Sequence, residues 1–560
     1  MGRMTTRLAA IGAALLSATA AAAAPPPARP KLVVAISVDQ LSYDLYERYR
    51  PTFTGGLKRL GEGLVFAGYQ SHAVTETCPG HSTILTGAHP ARTGIVANSW
   101  YDRVAASIVY CVSVDGAADP EARGSGKLRV DTLGDWLKAA RPGARSVAVS
   151  GKDRAAIMMA GHNPDAVYWW ADKKGFSTSR HAGPTTPQVL APAEAFNAAR
   201  FAAWRASPPQ LWPTEISGAC AAMQAPHRFG KLELTGAAPP QTAPGGVLPP
   251  TVPNFSEELR ASPELDRMTL AFADQLVDSF RLGQGPQTDL LAISLSATDY
   301  VGHRYGPGGA EMCVQMAALD AGLGGFLDRL DRRGVPYVVM LTADHGSVDA
   351  AERIGADRVD GRSIARGLAE HLQRAFGLAY DPLAGRGARQ IALRLEPADE
   401  PRRAAVVASA KAWLKARPEV VEVYTAAEIA KVRVPADKPV TELTLPERFV
   451  ESFDPERSGD LFVTYAERAT VGMPRALGDS VAGHGSPWDH DRRVPILFWW
   501  RGVVPTLEAR PMETVDIAPT LAPLMAVPAP PVDGRCVEIG QGCGAAAQPV
   551  GSAKESAPTP

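Results

Sequence analysis

The chain of 560 residues has almost no net charge, because 58 Lys and Arg face 59 Asp and Glu to leave −1. Without a basic excess there is no electrostatic footprint for nucleic acid or for an anionic membrane surface, and neither is expected as a partner. No Cys-x-x-Cys pair occurs, which argues against a thiolate zinc site. No internal repeat is visible. Past the N-terminus, no segment is long and apolar enough to span a bilayer.

The N-terminus itself has a recognisable pattern. Arg3 and Arg7 precede an Ala-rich apolar run at 8–20, and small residues at 21–24 offer a cleavage point. This predicts a secretory signal peptide over 1–24, hence a periplasmic or secreted protein. The run is too short and Ala-rich for a membrane anchor, so none is expected after cleavage. The Ala/Pro/Ser-rich end, 544–560, is expected to be a disordered tail. Export permits disulfides among Cys78, Cys111, Cys220, Cys313, Cys536 and Cys543. Cys536 and Cys543 are close enough in sequence to staple the C-terminal loop; the other pairings stay open.

Short apolar runs at Leu32–Val38, 146–149, 290–295, 337–341 and 496–500 read as buried parallel strands. Helical patterns fall between them, for example at 130–140 and 266–282. The alternation predicts an α/β fold, with a mostly parallel central sheet and helices on both faces. Ligands of such sheets sit beyond the carboxyl ends of the strands. Asp39 lies just past the first run, Lys152 and Arg154 past the second, Asp299 past the third, and Asp344 and His345 past the fourth. Chemical groups at the same place on four strands point to one site. Two stretches break the alternation. Residues 163–261 are rich in Pro, Trp and Gly, and 348–479 carry helices near 362–376 and 404–416 and strands near 390–395 and 420–424. Both are expected to be insertions capping the active edge of one catalytic domain over 31–530.

Asp299 and His303 are four apart, on one face of a helical turn. With His484 they offer two imidazoles and one carboxylate, a catalytic zinc set with room for a substrate oxygen. Asp39, Asp344 and His345 offer a second set. Mixed imidazole and carboxylate ligation suits zinc better than magnesium, so two Zn2+ ions per chain are expected. Thr77 precedes Cys78 and Pro79, and Pro in the first turn suits a helix start. A helix N-terminus favours an anion, and a hydroxyl there beside a metal is equipped to attack phosphorus. A plain N-cap role for Thr77 stays open, as do Ser82 and Cys78 as rival nucleophiles. Lys152 and Arg154 read as an anion clamp, to which Asn98 could add a donor.

The order and spacing of Asp39, Thr77 to His81, Asn98, Gly151 to Arg154, Asp299 with His303, Asp344 with His345, and His484 to Pro487 resemble the alkaline phosphatase superfamily. The nearer match is its branch with a threonine nucleophile. That branch contains nucleotide pyrophosphatases/phosphodiesterases and bacterial, broad-specificity periplasmic alkaline phosphatases. The resemblance spans about 32–524. It implies one zinc held by Asp299, His303 and His484, and another by Asp39, Thr77, Asp344 and His345. In the monoesterase group, Lys and Arg at the positions of Lys152 and Arg154 contact the phosphoryl oxygens together with Asn; the diesterases lack that pair. A monoester dianion carries one more charge and one more free oxygen than a diester, so two further cations favour it. Trp488 and His490 stand where Tyr is commoner in the group.

The resemblance thus implies an exported alkaline phosphatase that hydrolyses small-molecule phosphate monoesters through a phosphothreonine intermediate. The alternative is a phosphodiesterase or nucleotide pyrophosphatase of the same superfamily. A sulfatase is disfavoured, because residues 78–82 do not fit Cys-x-Pro-x-Arg. A non-enzymatic metal- or phosphate-binding module is disfavoured by the complete ligand set. The chain is expected to act as a monomer.

Overall fold

The computed structural model describes residues 29–172, 174–240, 255–385, 387 and 389–543. The signal-peptide and C-terminal-tail readings lie outside these residues. Among them a nine-stranded sheet dominates. Its strands are β1 (Leu32–Val38), β2 (Leu64–Tyr69), β3 (Ser146–Ser150), β4 (Ala166–Ala171), β5 (Gly175–Ser177), β6 (Asp289–Leu295), β7 (Tyr337–Thr342), β8 (Arg493–Trp500) and β9 (Thr506–Glu513). Their order across the sheet is β9-β2-β8-β7-β1-β6-β3-β4-β5.

β1 lies mid-sheet, parallel to both β6 and β7, and all seven of its residues are buried. Side chains alternate across a strand. Leu32, Val34, Ile36 and Val38 accordingly enter one core, with helices Pro263–Ser279 and Ala310–Arg332. Val33 and Ala35 enter the other, with helices Thr77–Ile84, Leu133–Ala140 and Asp153–Ala160. Burial on both faces is why β1 reads as an unbroken apolar run. The 130–140 pattern becomes Leu133–Ala140, started by a capping box between Thr132 and Asp135. The 266–282 pattern becomes Pro263–Ser279.

Two expectations differ from the fold. The run at 496–500 forms β8, which is antiparallel to β7 and to β2. An apolar run reports burial on both faces and says nothing of direction. The stretch 163–261 contributes β4 and β5 to the main sheet itself. Aromatic packing holds them there: the Trp170 and Phe176 rings meet edge-on at 5.6 Å, and Phe176 stacks on Phe272 at 4.6 Å. Within 348–479, strands Gln390–Ile391, Leu461–Tyr465 and Val420–Thr425 form a separate antiparallel sheet. Helices Gly361–Phe376 and Arg403–Lys415 pack on it around their own apolar core.

Disulfides join Cys78 to Cys111, Cys220 to Cys313 and Cys536 to Cys543. The last is the C-terminal staple expected from spacing. The second ties the 163–261 stretch to helix Ala310–Arg332. Among the described residues no helix is long and apolar enough to cross a membrane.

Candidate active site

The strand ends bring the acids and imidazoles together. Asp39, Asp344 and His345, all buried, offer ligand atoms within 4.8 Å of one another; Asp299, His345 and His484 form a second such group. His303 joins the second group from helix Ala297–Tyr305. Its Nε2 lies 3.2 Å from Asp299 Oδ1 and 3.2 Å from His484 Nε2. His345 stands between the groups, its ring stacked on His484 at 3.6 Å.

The ring orientations say what this cluster is for. Nδ1 of His303 faces the Ala482 carbonyl at 2.9 Å, Nδ1 of His345 the Gly346 carbonyl at 3.0 Å, and Nδ1 of His484 the Thr75 carbonyl at 2.7 Å. A carbonyl only accepts, so each Nδ1 must carry the proton. In the neutral ring each Nε2 then presents a lone pair to the centre, as metal-ligating histidines do. Asp39 Oδ1, Asp344 Oδ2 and His345 Nε2 are buried with no hydrogen-bond partner. Buried polar atoms are rarely left so, and a cation would satisfy all three. Burial pushes His345 down to about 3, which keeps its ring neutral. Burial and the neighbouring Asp344 push the Asp39 carboxyl well above its usual range. The residues present therefore fit a divalent metal centre.

Thr77 opens helix Thr77–Ile84 and is 1% exposed. Arg154 Nη2 approaches its hydroxyl at 3.5 Å. Arg154 is braced by Tyr110, whose hydroxyl accepts from Nη1 at 3.3 Å and donates to Asp153 at 2.6 Å. Arg123 fixes the other oxygen of Asp153 at 2.9 Å. The Asn98 side-chain oxygen accepts from the Cys78 N–H at 2.8 Å, so its NH2 is the end left to donate elsewhere. The rival nucleophiles are engaged. Cys78 is in a disulfide, and the Ser82 hydroxyl donates to the Pro79 carbonyl at 2.7 Å.

Lys152 is placed differently from a free anion donor. Its ammonium sits 2.6 Å from Asp39 and 2.5 Å from Asp299, fully buried, so it bridges the two carboxylate sets. Burial alone would lower its pKa; Asp299 and Asp39 overcome this and hold it above the ordinary value. Asp299 feels the reverse: against burial, Lys152 and then His303 hold it well below its usual range.

Three supporting residues were not assigned from sequence. Gln40, at φ 69°, donates its backbone N–H to Asp344 at 3.1 Å and its side-chain amide to Asp299 at 2.8 Å. It thus ties one ligand set to the other. His81 Nδ1 donates to the Thr77 carbonyl at 3.0 Å and lies 3.1 Å from Asp344 Oδ2, while its Nε2 faces the Ser294 hydroxyl at 3.0 Å. Its position four residues after Thr77 in a helix was a signal for it; nothing in the local sequence marks Gln40. Gly80 lets the Thr77 helix touch β7's end, since a Cβ there would lie 2.0 Å from the Asp344 carbonyl oxygen.

A family model described as type I phosphodiesterase / nucleotide pyrophosphatase matches residues 33–487. The chain is 41% identical over 531 residues to alkaline phosphatase PhoK of Sphingomonas sp, covering 91% of each. It is also 41% identical over 531 residues to alkaline phosphatase PhoD of Zymomonas mobilis subsp. mobilis, covering 91% of this chain and 88% of that one. Among solved structures, wild-type alkaline phosphatase PafA matches with a TM-score of 0.76 and 26% identity, over 89% of this chain and 96% of that one. The strand-end ligands, the threonine at a helix start and these matches agree: the chain belongs to the type I phosphodiesterase / nucleotide pyrophosphatase family of the alkaline phosphatase superfamily.

Proposed function

We propose that this chain is an exported, metal-dependent alkaline phosphatase that hydrolyses small-molecule phosphate monoesters through a phosphothreonine intermediate. The observation that carries the reading is Thr77 at a helix start, its hydroxyl met by Arg154, beside two carboxylate–imidazole sets joined by Lys152. The names of PhoK and PhoD support it.

Asp299, His303 and His484 would hold one Zn2+, and Asp39, Thr77, Asp344 and His345 a second. Such ions supply Lewis acidity that acidifies a hydroxyl and neutralises a departing oxygen. Thr77 Oγ1 releases its proton to solvent and attacks phosphorus. The bond from phosphorus to the alcohol oxygen breaks, and the departing alkoxide takes up a proton from solvent to leave as the alcohol. Water then hydrolyses the phosphothreonine, which releases phosphate and restores Thr77. Arg154 offers a planar fork and Asn98 one amide to the equatorial oxygens. Lys152 adds a point charge at the junction of the two carboxylate sets, where the phosphoryl charge gathers. The second reading is a phosphodiesterase, favoured by the description of the matching family model.

The test compares kcat/KM for phenyl phosphate and diphenyl phosphate on zinc-loaded protein, before and after chelation. A monoester preference that chelation abolishes and zinc restores is expected. A diester preference would move the chain to the second reading.

A further inference from the structure

A cavity of 490 Å3 opens beside the site. It is lined by Glu76, which precedes Thr77, and by His484; Trp100 and Phe449 add aromatic surface, and Val463 adds aliphatic surface. An alcohol leaving from phosphorus at Thr77 needs space next to Thr77 and His484, and this cavity is adjacent to both.

Arg389 is the sole Lys or Arg among the described residues that line it. It comes from the 348–479 stretch and is half-buried. Its guanidinium makes no hydrogen bond or close ion pair among the described residues; the nearest aromatic ring, Tyr465, lies at 6.0 Å. The acids near it are engaged. Glu76 accepts from the Asn98 N–H at 2.7 Å, and Asp491 accepts from Ser486 at 2.8 and 2.6 Å. Burial, only partly offset by Asp491, holds the Arg389 pKa below its ordinary value. A Cβ on Gly485 would lie 3.7 Å from Glu76 Cγ and 3.8 Å from Arg389 Cδ. Arg389 therefore stands one residue's width from the turn that carries His484. A partly desolvated guanidinium that keeps five donors free of protein partners among the described residues is placed to take a ligand anion.

We propose that Arg389 is the anion-binding end of a leaving-group subsite, selecting phosphate monoesters whose alcohol carries a second anionic group, a carboxylate or a phosphate. The proposal rests on the phosphatase reading above. The body of the alcohol lies against Trp100 and Phe449, and its distal anion takes paired hydrogen bonds from the Arg389 fork.

The experiment is steady-state kinetics on the full mature, zinc-loaded protein with phenyl phosphate, 4-carboxyphenyl phosphate and benzene-1,4-diyl bisphosphate. The readout is the ratio of kcat/KM for each ester with an anionic tail to that for phenyl phosphate, compared between wild type and variant. Leaving-group reactivity and general damage cancel in that comparison. Arg389→Gln is expected to lower at least one ratio by about tenfold or more, mainly through KM. The ester that loses more identifies the carboxylate or the phosphate as the preferred anion. Arg389→Lys is expected to lower the same ratio less, because a point charge remains; it serves also if the Gln variant does not fold. Unchanged ratios, with phenyl phosphate turned over, overturn the subsite alone. No turnover of any ester by the wild type overturns the phosphatase reading and the subsite with it.

Discussion

Replacing Gly80 by Ala tests whether the Thr77 helix must rest directly on the strand end that carries Asp344. The added Cβ would sit 2.0 Å from the Asp344 carbonyl oxygen, 2.7 Å from its carbonyl carbon and 3.0 Å from its Cα. All three atoms are backbone, so no side chain can rotate aside. To reach an acceptable 3.0 Å contact, helix and strand end must part by roughly 1 Å, a displacement of the size that costs about 100-fold in rate when it misaligns reacting groups. Overpacking of this kind costs about 1–3 kcal/mol of stability, well inside the 5–15 kcal/mol typical of a folded domain. The variant should therefore stay folded at 25 °C while kcat/KM for phenyl phosphate falls by about two orders of magnitude. Circular dichroism and thermal melting establish the fold; metal content by elemental analysis separates lost ions from lost alignment. A folded Gly80→Ala protein with the wild-type rate would refute the claim that this contact sets the site.

Other outcomes follow from the same geometry. Lys152→Ala with Arg154→Ala should reduce phenyl phosphate turnover far more than diphenyl phosphate turnover, and equal losses would end the dianion argument. The double variant should also melt lower, because removing a buried ion-pair partner costs about 3–5 kcal/mol. Gln40→Gly keeps a residue suited to φ 69° but deletes the 2.8 Å bond to Asp299; zinc affinity, read by calorimetric titration of the metal-free protein, should fall about 10- to 100-fold. Against burial, Asp299 holds His484 above its ordinary pKa. The metal-free protein therefore carries a proton on His484 through the usual histidine range, and the ion that Asp299, His303 and His484 would hold must displace it. Zinc affinity should rise with pH through that window and level off above it, by about tenfold per unit for one displaced proton; a flat profile from pH 6 to 8, read by the same titration, would show that His484 binds no metal.

What could be read from sequence follows from how strands are buried. A strand covered on both faces is an unbroken apolar run, so the first polar residue beyond it marks the sheet's active edge. Asp39, Asp299 and Asp344 stand at or just beyond such ends, and the four-residue step from Asp299 to His303 needed only helical geometry. The direction of β8 was not legible, because antiparallel and parallel strands with two covered faces have the same composition. β4 was obscured by the Pro- and Gly-rich segments around it, though its aromatic run packs as tightly as the core strands. Gln40 was out of reach: its role depends on a left-handed turn that aims one residue at carboxylates from two other strands. The pairing of Cys78 with Cys111 depends on a chain path that spacing does not encode, and Arg389 acquires meaning only once the 348–479 stretch is folded back over the site.

The most direct measurement is acid quenching of the zinc-loaded protein during turnover of phenyl phosphate, followed by peptide mass spectrometry. The account expects a phosphoryl group on Thr77, on no other residue, and absent from Thr77→Ala, which should be inactive. Steady turnover with Thr77 unmodified, or full activity in Thr77→Ala, would contradict it.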